Sequence, residues 1–142
     1  MIAQARRRPQ GFPSWARVRR QADFDRAWRR GRRARASALV VVAVPNGTER
    51  TRLGLSIGRR IWPGAVQRNR LKRVIREAFR LTLDELPPGV DLIVMAAQPR
   101  LVLELGTARA ELVLLARKAH RRYVEAQSDS AGAGSGDGGS HG

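Results

Sequence analysis

Residues 54–80 read GLSIGRRIWPGAVQRNRLKRVIREAFR and carry two hydrophobic periods in succession. Leu53, Leu55 and Ile57 alternate with Gly54, Ser56 and Gly58, a period of two that predicts a strand with one small-residue face. From Ala65 to Leu83 the period changes. Leu71, Val74, Ile75, Ala78 and Phe79 recur at helical intervals, and at about 100° per residue they share one side of a helix. Asn69, Arg73, Arg76 and Arg80 fall opposite them, with Arg70 and Lys72 on the flanks. One helix therefore docks on a core and shows water a cationic stripe. Neighbours three and four residues apart on a helix are about 5–6 Å apart at Cβ. Like charges that close repel unless a polyanion lies across them, and Glu77 relieves only Arg73 locally. Arginine offers forked donors for phosphate oxygens and a plane that stacks on bases. Phosphate contacts of this kind give salt-dependent affinity.

Outward from this stretch, Asp23–Arg30 reads as a short helix, with Asp23 as its cap and Gly31 as its end. Leu39–Val44 is a β-branched run closed by the turn signal Pro45-Asn46-Gly47. Pro87-Pro88-Gly89 interrupts the chain, and Asp91–Ala97 reads as a second buried strand. The last helix starts near Thr107 within Leu101–Ala126, with Leu112, Leu115, Ala116 and Ala119 on its buried stripe. The order of helix, strands, helix, strand and helix predicts a single-domain α+β sandwich.

The 142 residues fit one domain spanning 15–126, between a loose basic start (1–14) and a Gly/Ser-rich tail (127–142) expected to be disordered coil. Hydrophobic residues make up 42%, enough for a folded core. Without cysteine the chain has no disulfide, no Cys-based zinc site and no thiol chemistry. The longest apolar run, Ala38–Val44, is too short to span a bilayer. The net charge is +16, from 28 Lys+Arg against 12 Asp+Glu, which makes a polyanion the first partner to consider. Most of that excess lies in residues 1–36 (12 Arg, 2 Asp) and 59–83 (7 Arg, 1 Lys, 1 Glu), so it is concentrated rather than spread for solubility.

The stretch Gly54–Arg80 resembles the signature of the bacterial ribonuclease P protein component. A Gly-Leu-Ser strand leads to the basic pair Arg59-Arg60, then to a helix in which Arg68, Asn69, Arg70, Lys72, Arg73 and Arg76 match the family's Arg-Asn-Arg-x-Lys-Arg-x-x-Arg pattern. The flanking pieces agree in order: Arg17-Val-Arg-Arg, then Asp23-Phe24 with Trp28 and Gly31, then the Asp91 strand. The resemblance covers roughly residues 15–125. It implies a two-layer sandwich of four strands and three helices with a left-handed crossover. The fourth strand is expected in Arg32–Ser37.

It also implies a function. The protein is expected to be a subunit of a holoenzyme that removes the 5′ leader of precursor tRNA. Its partners would be a catalytic RNA subunit and precursor tRNA, its metal Mg²⁺ held mainly by the RNA, and its compartment the cytoplasm. The eight matching residues would bind RNA. Phe24 and Trp28, at i and i+4 on one helix face, would lie at the leader cleft, where an aromatic ring stacks an unpaired base. Ile61-Trp62-Pro63-Gly64 departs from the Gly-Asn often found before the helix, and Ala97 stands where a basic residue is common.

Catalysis by the polypeptide alone is not indicated. A two-metal nuclease needs clustered carboxylates, and the basic blocks contain only Asp23, Asp25 and Glu77. His120 lies beside Arg121 and Arg122 without a nucleophile nearby in sequence. The alternative from another class is a basic ribosomal or architectural nucleic-acid-binding protein.

Overall fold

The structure is a computed structural model that describes residues 14–137. The expected loose start therefore lies outside the described residues as far as Pro13, and so do residues 138–142 with His141. A 3-10 turn at Ser14–Ala16 leads into α1 (Gln21–Arg30), β1 (Arg32–Arg35), β2 (Leu39–Pro45) and β3 (Arg52–Ser56). There follow α2 (Ala65–Thr82), a 3-10 turn (Leu83–Glu85), β4 (Val90–Ala96) and α3 (Leu105–Asp137).

The four strands form one mixed sheet in the order β1-β2-β4-β3. β1 pairs β2 and β2 pairs β4 antiparallel, while β3 and β4 are parallel neighbours joined through α2. The Arg-rich fourth strand is thus where the resemblance puts it. Arginines are tolerated there because β1 is an edge strand and only Ala34 of its four residues is buried. β2 reads as an unbroken apolar run because both its faces are covered. Leu39, Val41 and Ala43 enter the main core under α2 and α3, and Val42 and Val44 enter a smaller cluster on the opposite face.

Leu71, Ile75, Ala78 and Phe79 of α2 and Leu112, Leu115, Ala116 and Ala119 of α3 fill the main core. On the other face, Val18, Ala27, Val42, Val44 and Ile93 pack with the half-buried Phe24, Met95 and Tyr123. The small-residue face of β3 has its reason here. A Cβ at Gly54 would lie 2.7 Å from Ile93 Cδ1 and 3.1 Å from Phe24 Cζ, so only glycine lets the Phe24 ring lie this close to the strand. At the other end of α1, a Cβ at Gly31 would meet Val42 Cγ1 at 2.6 Å. α1 therefore crosses the sheet from above β3 to above β2.

Two expectations are corrected. Asp23 does not cap α1: Arg20 occupies the cap position without a side-chain hydrogen bond, and Asp23 faces Arg26 and Arg52. The last helix does not stop at Ala126; its backbone runs on to Asp137. Glycine costs about 1 kcal/mol relative to alanine inside a helix but leaves the hydrogen-bond ladder intact, whereas proline removes a donor. The stretch after Ala126 contains glycine and no proline.

Candidate nucleic-acid interface

Two kinds of arginine cluster meet around β3. The first is closed. Asp91 is fully buried, and its carboxylate accepts from Arg26 Nη2 at 2.9 Å, from Arg52 Nε and Nη2 at 2.7 Å each, and from Asn46 Nδ2 at 2.9 Å. Asp23 adds a second carboxylate, 3.0 Å from Arg26 and 3.6 Å from Arg52. The hydrogen bond to Asp91 is the chief reason the Arg52 guanidinium holds its proton more tightly than usual, against the opposing pull of burial. This cluster ties α1 to β3 and β4.

The second cluster is open. Asn69, Arg70 and Arg73 on α2 are exposed, and Lys72 and Arg76 are half-buried. Arg59 and Arg60 are exposed in the turn before the helix. Among the described residues, none of these cations is ion-paired to a carboxylate. Glu77 does not serve Arg73; it accepts from Arg80 Nη2 at 2.5 Å. Burial, reinforced by the neighbouring Arg17, pushes the Arg76 guanidinium below its usual range. The fold thus holds two like charges together, a cost that an anion between them would relieve.

Arg68 is placed differently from its neighbours. Its Nη1 donates to the carbonyls of Trp62 at 2.8 Å and Pro63 at 2.7 Å. The Trp62 indole donates to the Leu101 carbonyl at 2.9 Å, and Arg100 lies over the Trp62 ring at 5.5 Å. Arg68 therefore braces the loop that carries Arg59 and Arg60, and the Trp62 indole clamps that loop to the segment after β4. Trp62, part of the stretch that departs from the family's usual Gly-Asn, is the centre of that clamp.

At the β3 edge, Arg17, Arg19, Lys72 and Arg76 surround a concavity of about 210 Å³ whose walls include Val18, Phe24, Leu53 and Leu55. Phe24 is thus an aromatic wall of a cationic pocket. Trp28 does not line it; 39% of Trp28 is exposed, one turn further along α1. Tyr123, which the sequence reading did not single out, packs against the same cluster as Phe24. Extending the Leu112–Leu115–Ala116–Ala119 stripe by one more turn reaches it. His120 is half-buried on α3 beside Pro87 and Pro88, away from this pocket. No three His, Cys, Asp or Glu residues converge as metal ligands among the described residues.

A family model described as Ribonuclease P matches residues 12–120. The chain belongs to the ribonuclease P protein family. It is 43% identical over 92 residues to the ribonuclease P protein component of Desulfotalea psychrophila, covering 65% of this chain and 75% of that one. Its fold is similar to the RNase P protein of Staphylococcus aureus, with TM-score 0.64 and 30% identity, over 73% of this chain and 94% of the other. For the RNase P protein of Thermotoga maritima the values are 0.63 and 32%, over 71% and 96%. Ribonuclease P membership makes the chain a subunit of the holoenzyme that cleaves precursor tRNA, with a role in tRNA 5′ processing. Nothing in these similarities favours a ribosomal or architectural protein.

Proposed function

We propose that the α2 stripe and the Arg59-Arg60 turn hold the catalytic RNA subunit, and that the 5′ leader of precursor tRNA enters the concavity walled by Phe24. On this reading Arg59, Arg60, Asn69, Arg70, Lys72, Arg73 and Arg76 contact RNA, chiefly at phosphates. Arg68 acts through the loop it braces. The observation that carries the reading is the concavity in which Arg19, Lys72 and Arg76 converge with Arg17 beside the Phe24 ring. Mg²⁺ would be held by the RNA subunit and supply the metal-assisted hydrolysis. The chain's own side chains bind and orient the two RNAs. Among the described residues no helix is long and apolar enough to cross a membrane; a cytoplasmic location belongs to this reading and is supported by the precursor tRNA it would act on.

The test is reconstitution of the holoenzyme from this chain and its cognate RNA. Phe24→Leu keeps the apolar packing over Gly54 and removes the stacking ring. It is expected to weaken precursor tRNA binding by about 1–3 kcal/mol and to leave mature tRNA binding unchanged. Equal losses for both substrates would show that Phe24 only supports the core.

A further inference from the structure

The sheet face beneath α1 continues past the helix, and the strand register says which side chains lie on it. Arg33 pairs with Val42, Val42 with Ile93, and Ile93 with Gly54. The Gly54 and Val42 ends of this row lie under α1, at Phe24 and at Gly31. The next row on the same face is Arg35, Val40, Met95 and Ser56. Directly opposed residues share a face, so this second row is a strip running beside α1 from one sheet edge to the other. Ser56 is exposed and Met95 half-buried at one end, and Arg35 is exposed at the other. With strands about 4.8 Å apart, the strip spans roughly 14 Å.

At its β3 end lie the Phe24 pocket and the cations Arg17, Lys72 and Arg76. Trp28 stands one helical turn nearer β1 than Phe24, on the same side of α1. At the β1 end, Arg33 and Arg35 point to this face, because Ala34 between them is buried in the main core on the other. Arg35 Nη2 donates to the Ala97 carbonyl at 2.8 Å, which fixes its guanidinium, and Arg122 donates to the Arg33 backbone carbonyl, which fixes the strand at that point. Among the described residues neither is ion-paired to a carboxylate. Cations stand at both ends of the strip, and the floor between them is apolar, with Val40 buried at 6% exposure and Met95 half-buried.

We propose that Arg33 and Arg35 form a second leader subsite: the single-stranded 5′ leader passes Phe24, crosses the sheet beside Trp28, and is held at its distal phosphates over β1. This rests on the placing of the leader at Phe24 and extends it to the opposite edge of the sheet. The occupant is single-stranded RNA rather than duplex, because the strip is the width of a few residues and is bordered by α1 along its length.

The experiment uses the reconstituted holoenzyme and precursor tRNAs with leaders of one and about ten nucleotides, since a single nucleotide ends short of the ~14 Å strip whereas ten, advancing at least ~3.4 Å each, cross it. Arg33→Gln with Arg35→Gln is expected to weaken binding of the long-leader precursor roughly tenfold at physiological salt, the consequence of two lost single-strand phosphate contacts. Short-leader precursor, mature tRNA and RNA-subunit binding are expected to stay within a factor of two. Lysine at both positions is expected to restore most of the loss. An equal loss at both leader lengths, a loss in RNA-subunit assembly, or no loss at all would overturn the subsite. If Phe24→Leu still separates precursor from mature tRNA while the glutamine pair changes nothing, the distal subsite alone fails. If Phe24→Leu also has no leader-specific effect, the cleft reading fails with it.

Discussion

The arginines beneath α1 and those along α2 are the same residue type put to opposite uses. Arg26 and Arg52 find Asp91 and Asp23 within the fold, and their charge is neutralised before any partner arrives. Arg70, Arg73 and Arg76 lie on a helix whose neighbouring acid, Glu77, is engaged by Arg80. The first set joins secondary-structure elements. The second leaves its donors to be satisfied by a polyanion. Arginine content alone therefore says little about the site; the position of the few carboxylates divides scaffold from interface.

The closed set has the largest expected effect. Asp91→Ala removes the acceptor of four hydrogen bonds and leaves two guanidinium groups to share the single carboxylate of Asp23. Deleting one partner of a buried ion pair costs about 3–5 kcal/mol. Here Arg26 and Arg52 keep 30% and 25% exposure and can turn toward water, so a loss of about 2–3 kcal/mol is expected. Urea denaturation of the isolated protein measures it. A loss below about 0.5 kcal/mol, the usual scale of a surface change, would mean that the cluster is ornamental to stability.

Within the open set, the salt dependence of RNA-subunit binding separates contact from support. Arg73→Ala and Arg76→Ala are each expected to reduce the slope of log K against log salt by about 0.7–0.9. Arg68→Ala is expected to weaken binding several-fold through the loop carrying Arg59 and Arg60, with the slope nearly unchanged. Combined with Trp62→Phe, which removes the indole donor to Leu101, the effects are expected to be non-additive because both act through one clamp. A slope reduction for Arg68 matching that for Arg73 would make it a phosphate contact after all.

The sequence showed the parts of this arrangement that depend on near neighbours. The α2 stripe was readable because Leu71, Ile75 and Phe79 recur within one helix. β1 was readable as a fourth strand, though by resemblance rather than by pattern, since three of its four residues are arginine; its place at the edge was not. The Asp91 cluster was not, because its members stand at positions 23, 26, 46, 52 and 91, on separate elements that only the sheet brings together. The same holds for Arg68, which is bonded to carbonyls five and six residues before it, in a loop held by Leu101 and Arg100. Phe24 and Trp28 share a helix side, yet the concavity takes only the first, and no periodicity contains that distinction. The length of α3 was missed because composition was read as coil where the backbone has no proline to stop it.

The smallest expected effect comes from moving one arginine from the closed class to the open one. Arg80 is exposed and paired to Glu77, whose carboxyl the hydrogen bond from Arg80 holds below its usual range. A depressed carboxyl pKa contributes stability above the unfolded value and loses it as pH falls through the folded one. Glu77→Gln is therefore expected to lower the melting temperature slightly at neutral pH, by no more than about 2 °C for an exposed pair. The difference from wild type should shrink as pH falls through the carboxylate range and vanish once Glu77 is protonated in the folded state. The same substitution frees Arg80 at the end of the α2 stripe. RNA-subunit binding is then expected to tighten by about twofold at low salt, with a slope slightly steeper than that of wild type, because one more unpaired cation faces the polyanion. Looser binding would mean that Glu77 itself helps to hold the RNA, and that the division between paired and unpaired arginines does not mark the edge of the interface.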